Sequence, residues 1–190
     1  MPAVDRAHWP AIAGYVPGDK IPALHRVILQ RAWRDLEIAE TPPGTNRGVR
    51  IEAYLRRAGV SSAEMNKGNG LWCAAWLSAV WEDAGAAVPP KGDRAGCDEW
   101  GAWAKRRGLW MPARAVPTGG VPEGAAVLYG TPTDLSHIGL VTRWDRFYKR
   151  AMEGNTSVGG YSREGVMVAF KDIALQRVQG YVVPALATGA

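Results

Sequence analysis

The chain of 190 residues is poor in cysteine and histidine and has no long apolar run. Two cysteines, Cys73 and Cys97, exclude a disulfide framework and suit synthesis in a reducing compartment, with a bond between the two as the lesser alternative to free thiols. With three histidines, His8, His25 and His137, scattered along the chain, they also give no ligand spacing for zinc. No stretch approaches the run of about 18 apolar residues that a membrane span needs, so stable membrane insertion is not expected. The first ten residues, Met1 to Pro10, hold no uninterrupted apolar segment of the signal-peptide kind. The chain is therefore expected to be made in the cytoplasm, and another agent must deliver it to any target outside. Basic residues come in small groups (Arg56-Arg57, Lys105-Arg106-Arg107, Arg143 to Arg150) and never in a long block, which argues against a nucleic-acid-binding arm. No nucleic-acid partner is expected.

What the chain does have is the composition of a globular protein, 47% hydrophobic and 22% charged, with nine tryptophans. Its length suits one core, and the expected organisation is an irregular Pro- and Gly-punctuated lead over 1–20, a single domain over 21–185 and a tail over 186–190. A net charge of +5 favours anionic partners, among them the anionic polymers of bacterial walls. A monomer is expected.

Helical periodicity predicts a first helix from Pro22 to near Glu40, a second over Val49 to Ala58, a third opened by Cys73 and stopped by Gly85, and a fourth over about Ala95 to Arg107. The intervening 41–48 and 59–70 read as loops. Cys73, Trp76, Leu77, Val80 and Trp81 face inward on the third helix, with Ser78, Glu82 and Asp83 on its wet side. On the fourth, Cys97, Trp100, Trp103 and Ala104 form an apolar stripe, and Cys97 is expected to be an inert core thiol. After Pro122 the pattern becomes extended, with strands expected over Ala125 to Tyr129, His137 to Trp144, Phe147 to Glu153, Val166 to Phe170 and Gln179 to Val183. Helices first and strands second predict an α+β fold in which an antiparallel sheet packs on the Cys73 helix.

Cys73 follows Asn69-Gly70-Leu71-Trp72 at a turn-to-helix junction, where unpaired first-turn N–H groups favour a thiolate and where its own N–H is placed to steady an oxyanion. His137 opens a strand in Ser136-His137-Ile138-Gly139-Leu140-Val141, and Gly139 admits a close neighbour. Glu153 and Asn155 are two apart, so a regular strand points both to one face, where either is able to fix the imidazole tautomer. A thiol, an imidazole and an acid or amide in this order make up the parts of a cysteine amide hydrolase. Trp72 is read either as lining a substrate groove or as a core aromatic, and Asn66 or Asn69 as a further donor to substrate.

These motifs, Gly70-Leu71-Trp72-Cys73-Ala74-Ala75-Trp76, Ser136 to Val141 and Glu153-Gly154-Asn155-Thr156, together resemble the CHAP family of cysteine amidohydrolase/peptidases in the papain-like NlpC/P60 superfamily. The phage-lysin subgroup is the most similar, and its lead-in is matched by Glu37 to Thr41, Asn46-Arg47-Gly48 and Ile51 to Leu55. The chain departs from that pattern at Leu71, where Pro is common, and at Gly124-Ala125, where Gly-Asp is common. The resemblance covers roughly Leu24 to Val183. It implies a papain-like fold and cleavage of bacterial peptidoglycan, as an endopeptidase or an N-acetylmuramoyl-L-alanine amidase, with Cys73 as nucleophile, His137 as base and Glu153 or Asn155 as orienting group. Some members bind calcium before the Cys, but 61–69 offers only Glu64, so neither metal nor cofactor is expected. Two contexts follow: an endolysin released by a holin to act on the periplasmic wall, or an antibacterial effector carried there by a secretion machine and paired with an immunity protein. A non-catalytic wall-binding component is the alternative from another class.

Overall fold

Among the residues described, 22–67, 70–158 and 165–187 of a computed structural model, five α-helices precede six β-strands. The helices are α1 (Ala23–Trp33), α2 (Val49–Ala58), α3 (Ser62–Asn66), α4 (Cys73–Asp83) and α5 (Cys97–Arg106). The strands are β1 (Trp110–Pro112), β2 (Ala126–Thr131), β3 (Asp134–Trp144), β4 (Lys149–Thr156), β5 (Met167–Asp172) and β6 (Val178–Val182). They form one sheet in the order β1-β6-β2-β3-β4-β5, with every neighbouring pair antiparallel. The fold is thus α+β.

The sequence from Cys73 to Trp81 is apolar on nearly every side, and a helix of that kind has to be covered all round. All nine of these residues are buried. α4 packs on α1 and α2 and, on its opposite side, on β3 and β4. Trp72, Trp76, Trp81 and Trp100 are fully enclosed, each worth about 4–6 kcal/mol as apolar area removed from water. Ser78, expected on the wet side, is buried instead. It donates to the Arg94 carbonyl (2.9 Å) and accepts from the Trp100 indole (3.1 Å), which removes the penalty of enclosing a hydroxyl. At the far end of α4, Glu82 and Asp83 are gripped by Arg57, Arg94 and Arg31.

Strand alternation sorts the sheet into two faces. Ala126, Leu128, Ile138, Leu140, Met152, Val168 and Val182 meet the helices. Val127, Tyr129, Val141, Ala151, Val178 and Tyr181 form a second cluster on the other face, joined by Val121 and Ile173.

Three elements depart from the sequence expectation. α1 stops at Trp33 and not near Glu40. Asp35 turns inward, Glu37 takes a positive φ of 67°, and residues 37–40 run alongside β5, with Glu37 N–H bonded to Val168 O, Val168 N–H to Ile38 O and Glu40 N–H to Val166 O. Within the expected loop 59–70 lies α3, started by a capping box in which Ser61 and Glu64 satisfy each other's backbone N–H groups. β1 is a three-residue strand that exists through its pairing with β6, Met111 opposite Tyr181.

Candidate active site

α4 begins at Cys73 because the preceding residues are fixed from outside the helix. The Trp72 indole donates to Glu40 Oε1 at 2.9 Å and the Trp76 indole to Asp35 Oδ2 at 3.1 Å, both in the interior. The first-turn N–H groups have no partner inside the helix, so the Cys73 sulfur sits at the positive end of its dipole.

The sheet opens to receive this turn. β3 and β4 pair from Trp144 opposite Lys149 to Leu140 opposite Met152, while β3 continues along β2 with His137 opposite Tyr129. On its other edge β4 shifts register against β5 between Glu153 and Thr156. Two glycines make the closeness feasible. A Cβ on Gly154 would stand 3.0 Å from the Trp72 ring, and one on Gly139 would stand 2.7 Å from Glu153 Cγ.

His137 is fully buried and Glu153 nearly so. The imidazole Nε2 lies 3.0 Å from Glu153 Oε2, which also accepts from the Thr156 hydroxyl at 3.4 Å. Tyr129 stacks on the imidazole at 6.0 Å between ring centroids and 29° between planes. With Nε2 held by Glu153, the other ring nitrogen, Nδ1, is buried without a hydrogen-bond partner among the described residues. A second sulfur completes the group: Cys97, the first residue of α5, places its Sγ 3.8 Å from that of Cys73.

These neighbours set the charges. The Cys97 thiol is the largest influence on Cys73 and lowers its pKa; burial opposes it, and the His137 charge and the Ile138 N–H add to the lowering, leaving the group well below an ordinary thiol. Cys97 moves the other way, raised by its bond to Cys73, by burial and by the negative charges of Cys73, Asp98 and Glu99. For His137, burial favours the neutral ring, but the Cys73 thiolate and the Glu153 carboxylate outweigh it and lift the pKa to about 10. These directions favour a thiolate at Cys73 and a charged ring at His137. Such a pair is a nucleophile with its acid–base partner already charged.

Of the residues singled out in the sequence, Cys73, His137 and Glu153 meet here. Asn155 does not bond to the imidazole: it is buried at a positive φ of 53°, and neither its Oδ1 nor its Nδ2 has a hydrogen-bond partner among the described residues. The register shift after Glu153 removes the common face that regular strand geometry would give the two side chains. Trp72 lines no groove, being fully covered with its indole committed to Glu40. Asn66 lies away from the group as an acceptor for Arg47 at 2.6 Å, on the exposed side. Asn69 lies outside the described residues. Cys97, read as an inert core thiol, is instead in contact with the nucleophile candidate. Its position in the first turn of the fourth helix is readable in sequence, but the meeting of two helix N-termini is a tertiary fact. Among the described residues no group of three or more His, Cys, Asp or Glu is placed to hold a metal ion, and no helix is long and apolar enough to cross a membrane.

No family model and no curated protein matches the chain. Among solved structures it is similar to Ly7917, with a TM-score of 0.40 and 17% identity over 84% of this chain and 62% of that one. The chain thus spans less than two thirds of that structure's length. It is also similar to an N-acetylmuramoyl-L-alanine amidase from Bacteroides uniformis, with a TM-score of 0.37 and 13% identity over 88% of this chain and 100% of that one.

Proposed function

We propose that the chain is a papain-like cysteine hydrolase that cleaves an amide bond of bacterial peptidoglycan. The observation that carries the chemistry is the Glu153 carboxylate 3.0 Å from the buried His137 imidazole, whose charge is in turn one of the causes that lower the Cys73 pKa at the start of α4. The substrate class rests on the resemblance of the Cys73, His137 and Glu153 motifs to the CHAP family, and an endolysin role on the phage-lysin subgroup among them. A basic chain of net charge +5 suits an anionic wall.

In this mechanism the Cys73 sulfur attacks the amide carbonyl carbon, and the oxyanion that develops is met by first-turn N–H groups of α4, its own included. The His137 imidazolium gives its proton to the departing amine, leaving an acyl-enzyme. Water then attacks the thioester while His137 takes a proton from it, and the acid product leaves with the thiolate restored. Glu153 keeps the ring oriented and balances its positive charge throughout. No step calls for a metal or cofactor.

Purified protein incubated with peptidoglycan, beside Cys73→Ala, tests the reading. The expected result is muropeptide release by the parent and a loss of at least about 1,000-fold in the variant. Mass spectrometry of the products separates a free lactyl group, the mark of an amidase, from a broken stem peptide. Absence of release by both proteins overturns the proposal in favour of a wall-binding role.

A further inference from the structure

The mechanism above uses one sulfur, yet the chain's only two cysteines, 24 residues apart in sequence, meet at 3.8 Å with both side chains buried. Both are the first residues of their helices, α4 and α5, so the contact joins two rigid elements and is not a loop coincidence. A disulfide has sulfurs about 2.05 Å apart, so closing the pair needs an approach of about 1.8 Å, within reach of side-chain rotation and a small shift of one helix end. No third thiol exists to compete within the chain.

We propose that Cys73 and Cys97 form an oxidation site for hydrogen peroxide, in which Cys97 resolves the oxidised Cys73 as an intramolecular disulfide. That this bond also switches off wall cleavage rests on Cys73 being the nucleophile of the hydrolase. In the first step the Cys73 thiolate attacks one peroxide oxygen; the O–O bond breaks, hydroxide leaves, and Cys73 becomes a sulfenic acid, oxidised by two electrons. In the second, the Cys97 sulfur attacks the Cys73 sulfur, the S–O bond breaks, and the hydroxyl leaves as water with the Cys97 proton. The two steps are coupled by charge. While Cys73 is a thiolate, it helps to hold Cys97 protonated; once Cys73 is a neutral sulfenic acid that part of the hold is removed, and burial, Asp98 and Glu99 remain. A dithiol reductant reverses the bond, whereas a sulfenic acid left unresolved proceeds to sulfinic acid, which it does not reverse.

The full chain, reduced and then exposed to hydrogen peroxide, is blocked with an alkylating agent and mapped by mass spectrometry without reduction. The expected outcome is a cross-linked peptide joining Cys73 to Cys97 with two hydrogens lost, wall cleavage falling in proportion to the cross-linked fraction, and recovery of both on adding dithiothreitol. In Cys97→Ser, measured against its own activity before oxidation, the same exposure drives Cys73 to sulfinic acid and dithiothreitol restores nothing. Sulfinic acid on Cys73 of the parent without the cross-linked peptide overturns the proposal, as does a disulfide found only between two chains. The mass readout stands apart from wall cleavage: a cross-link in a chain that releases no muropeptides upholds the thiol pair and rejects the hydrolase.

Discussion

Two buried carboxylates lie either side of the α4 helix, and the chain treats them in opposite ways. Asp35 is fully enclosed and meets Arg31 and Arg50 at 2.8 Å each, with the Trp76 indole at 3.1 Å. Both cations are permanent. Burial works against the Arg31 charge, yet Asp35 and Asp83 hold its pKa above the ordinary guanidinium value. Glu153, almost as deeply covered, has among the described residues the His137 ring at 3.0 Å and the Thr156 hydroxyl at 3.4 Å. The cationic partner among them gains and loses a proton within the accessible pH range. A carboxylate compensated by fixed charge can only hold the fold, whereas one compensated by imidazole has a partner whose charge is available for chemistry.

The difference is broken most severely by Glu153→Gln. An amide keeps the shape and removes the charge, so kcat/KM for muropeptide release should fall about 100-fold or more while the protein stays folded. The pH profile sharpens this. In the proposed mechanism the active species has Cys73 ionised and His137 protonated, so activity should rise as pH passes the lowered Cys73 pKa and fall as pH passes that of His137, about 10. Because the two groups are coupled, these limbs belong to the pair. Removing the Glu153 charge withdraws one cause of the raised His137 pKa and moves the alkaline limb to lower pH. Titration of initial rates in both proteins checks the shift; an unmoved alkaline limb would mean that Glu153 has no electrostatic hold on the ring.

How much of this is readable in sequence follows the range of the forces. α2, α4 and α5 and five of the six strands are local patterns of period 3.6 or 2, and they stand within a few residues of where the sequence puts them. α1 ends early because Asp35 is drawn inward by Trp76, 41 residues away, and by Arg50, a pull no local window contains. α3 is too short for periodicity to reveal, although Ser61 and Glu64 spell its capping box. The thiol, the imidazole and the acid are legible as residue types in order. The choice between Glu153 and Asn155 is not, because it turns on a register shift, and the role of Cys97 is not, because sequence says where a helix starts and not what lies opposite its end.

Asp35→Ala probes the fixed side of the comparison. It leaves two arginines facing each other beside an unpaired indole N–H, and unfolding in urea should show a loss of about 3 kcal/mol. Rates corrected for the folded fraction should fall far less than in Glu153→Gln, since Asp35 touches the helix at Trp76 and not at the sulfur. Equal losses in the two variants would erase the distinction between scaffold and site.

The smallest expected effect is at Asn155, the neighbour that sequence alone presents as an equal of Glu153. Its amide is buried with neither Oδ1 nor Nδ2 paired among the described residues, a burden of about 1–3 kcal/mol. Its φ of 53° lies in the left-handed region, where asparagine pays less than most residues with a side chain. Asn155→Gly removes both penalties. Against them stand the freedom glycine gains in the unfolded chain, about 0.5–1 kcal/mol, and the small void left where the amide packed. The relieved terms are the larger by about 1 kcal/mol, so stability in urea should rise by about that much while kcat/KM stays within about threefold. A loss matching that of Glu153→Gln would instead make Asn155 part of the hydrolytic group, and the imidazole would then depend on two orienting side chains.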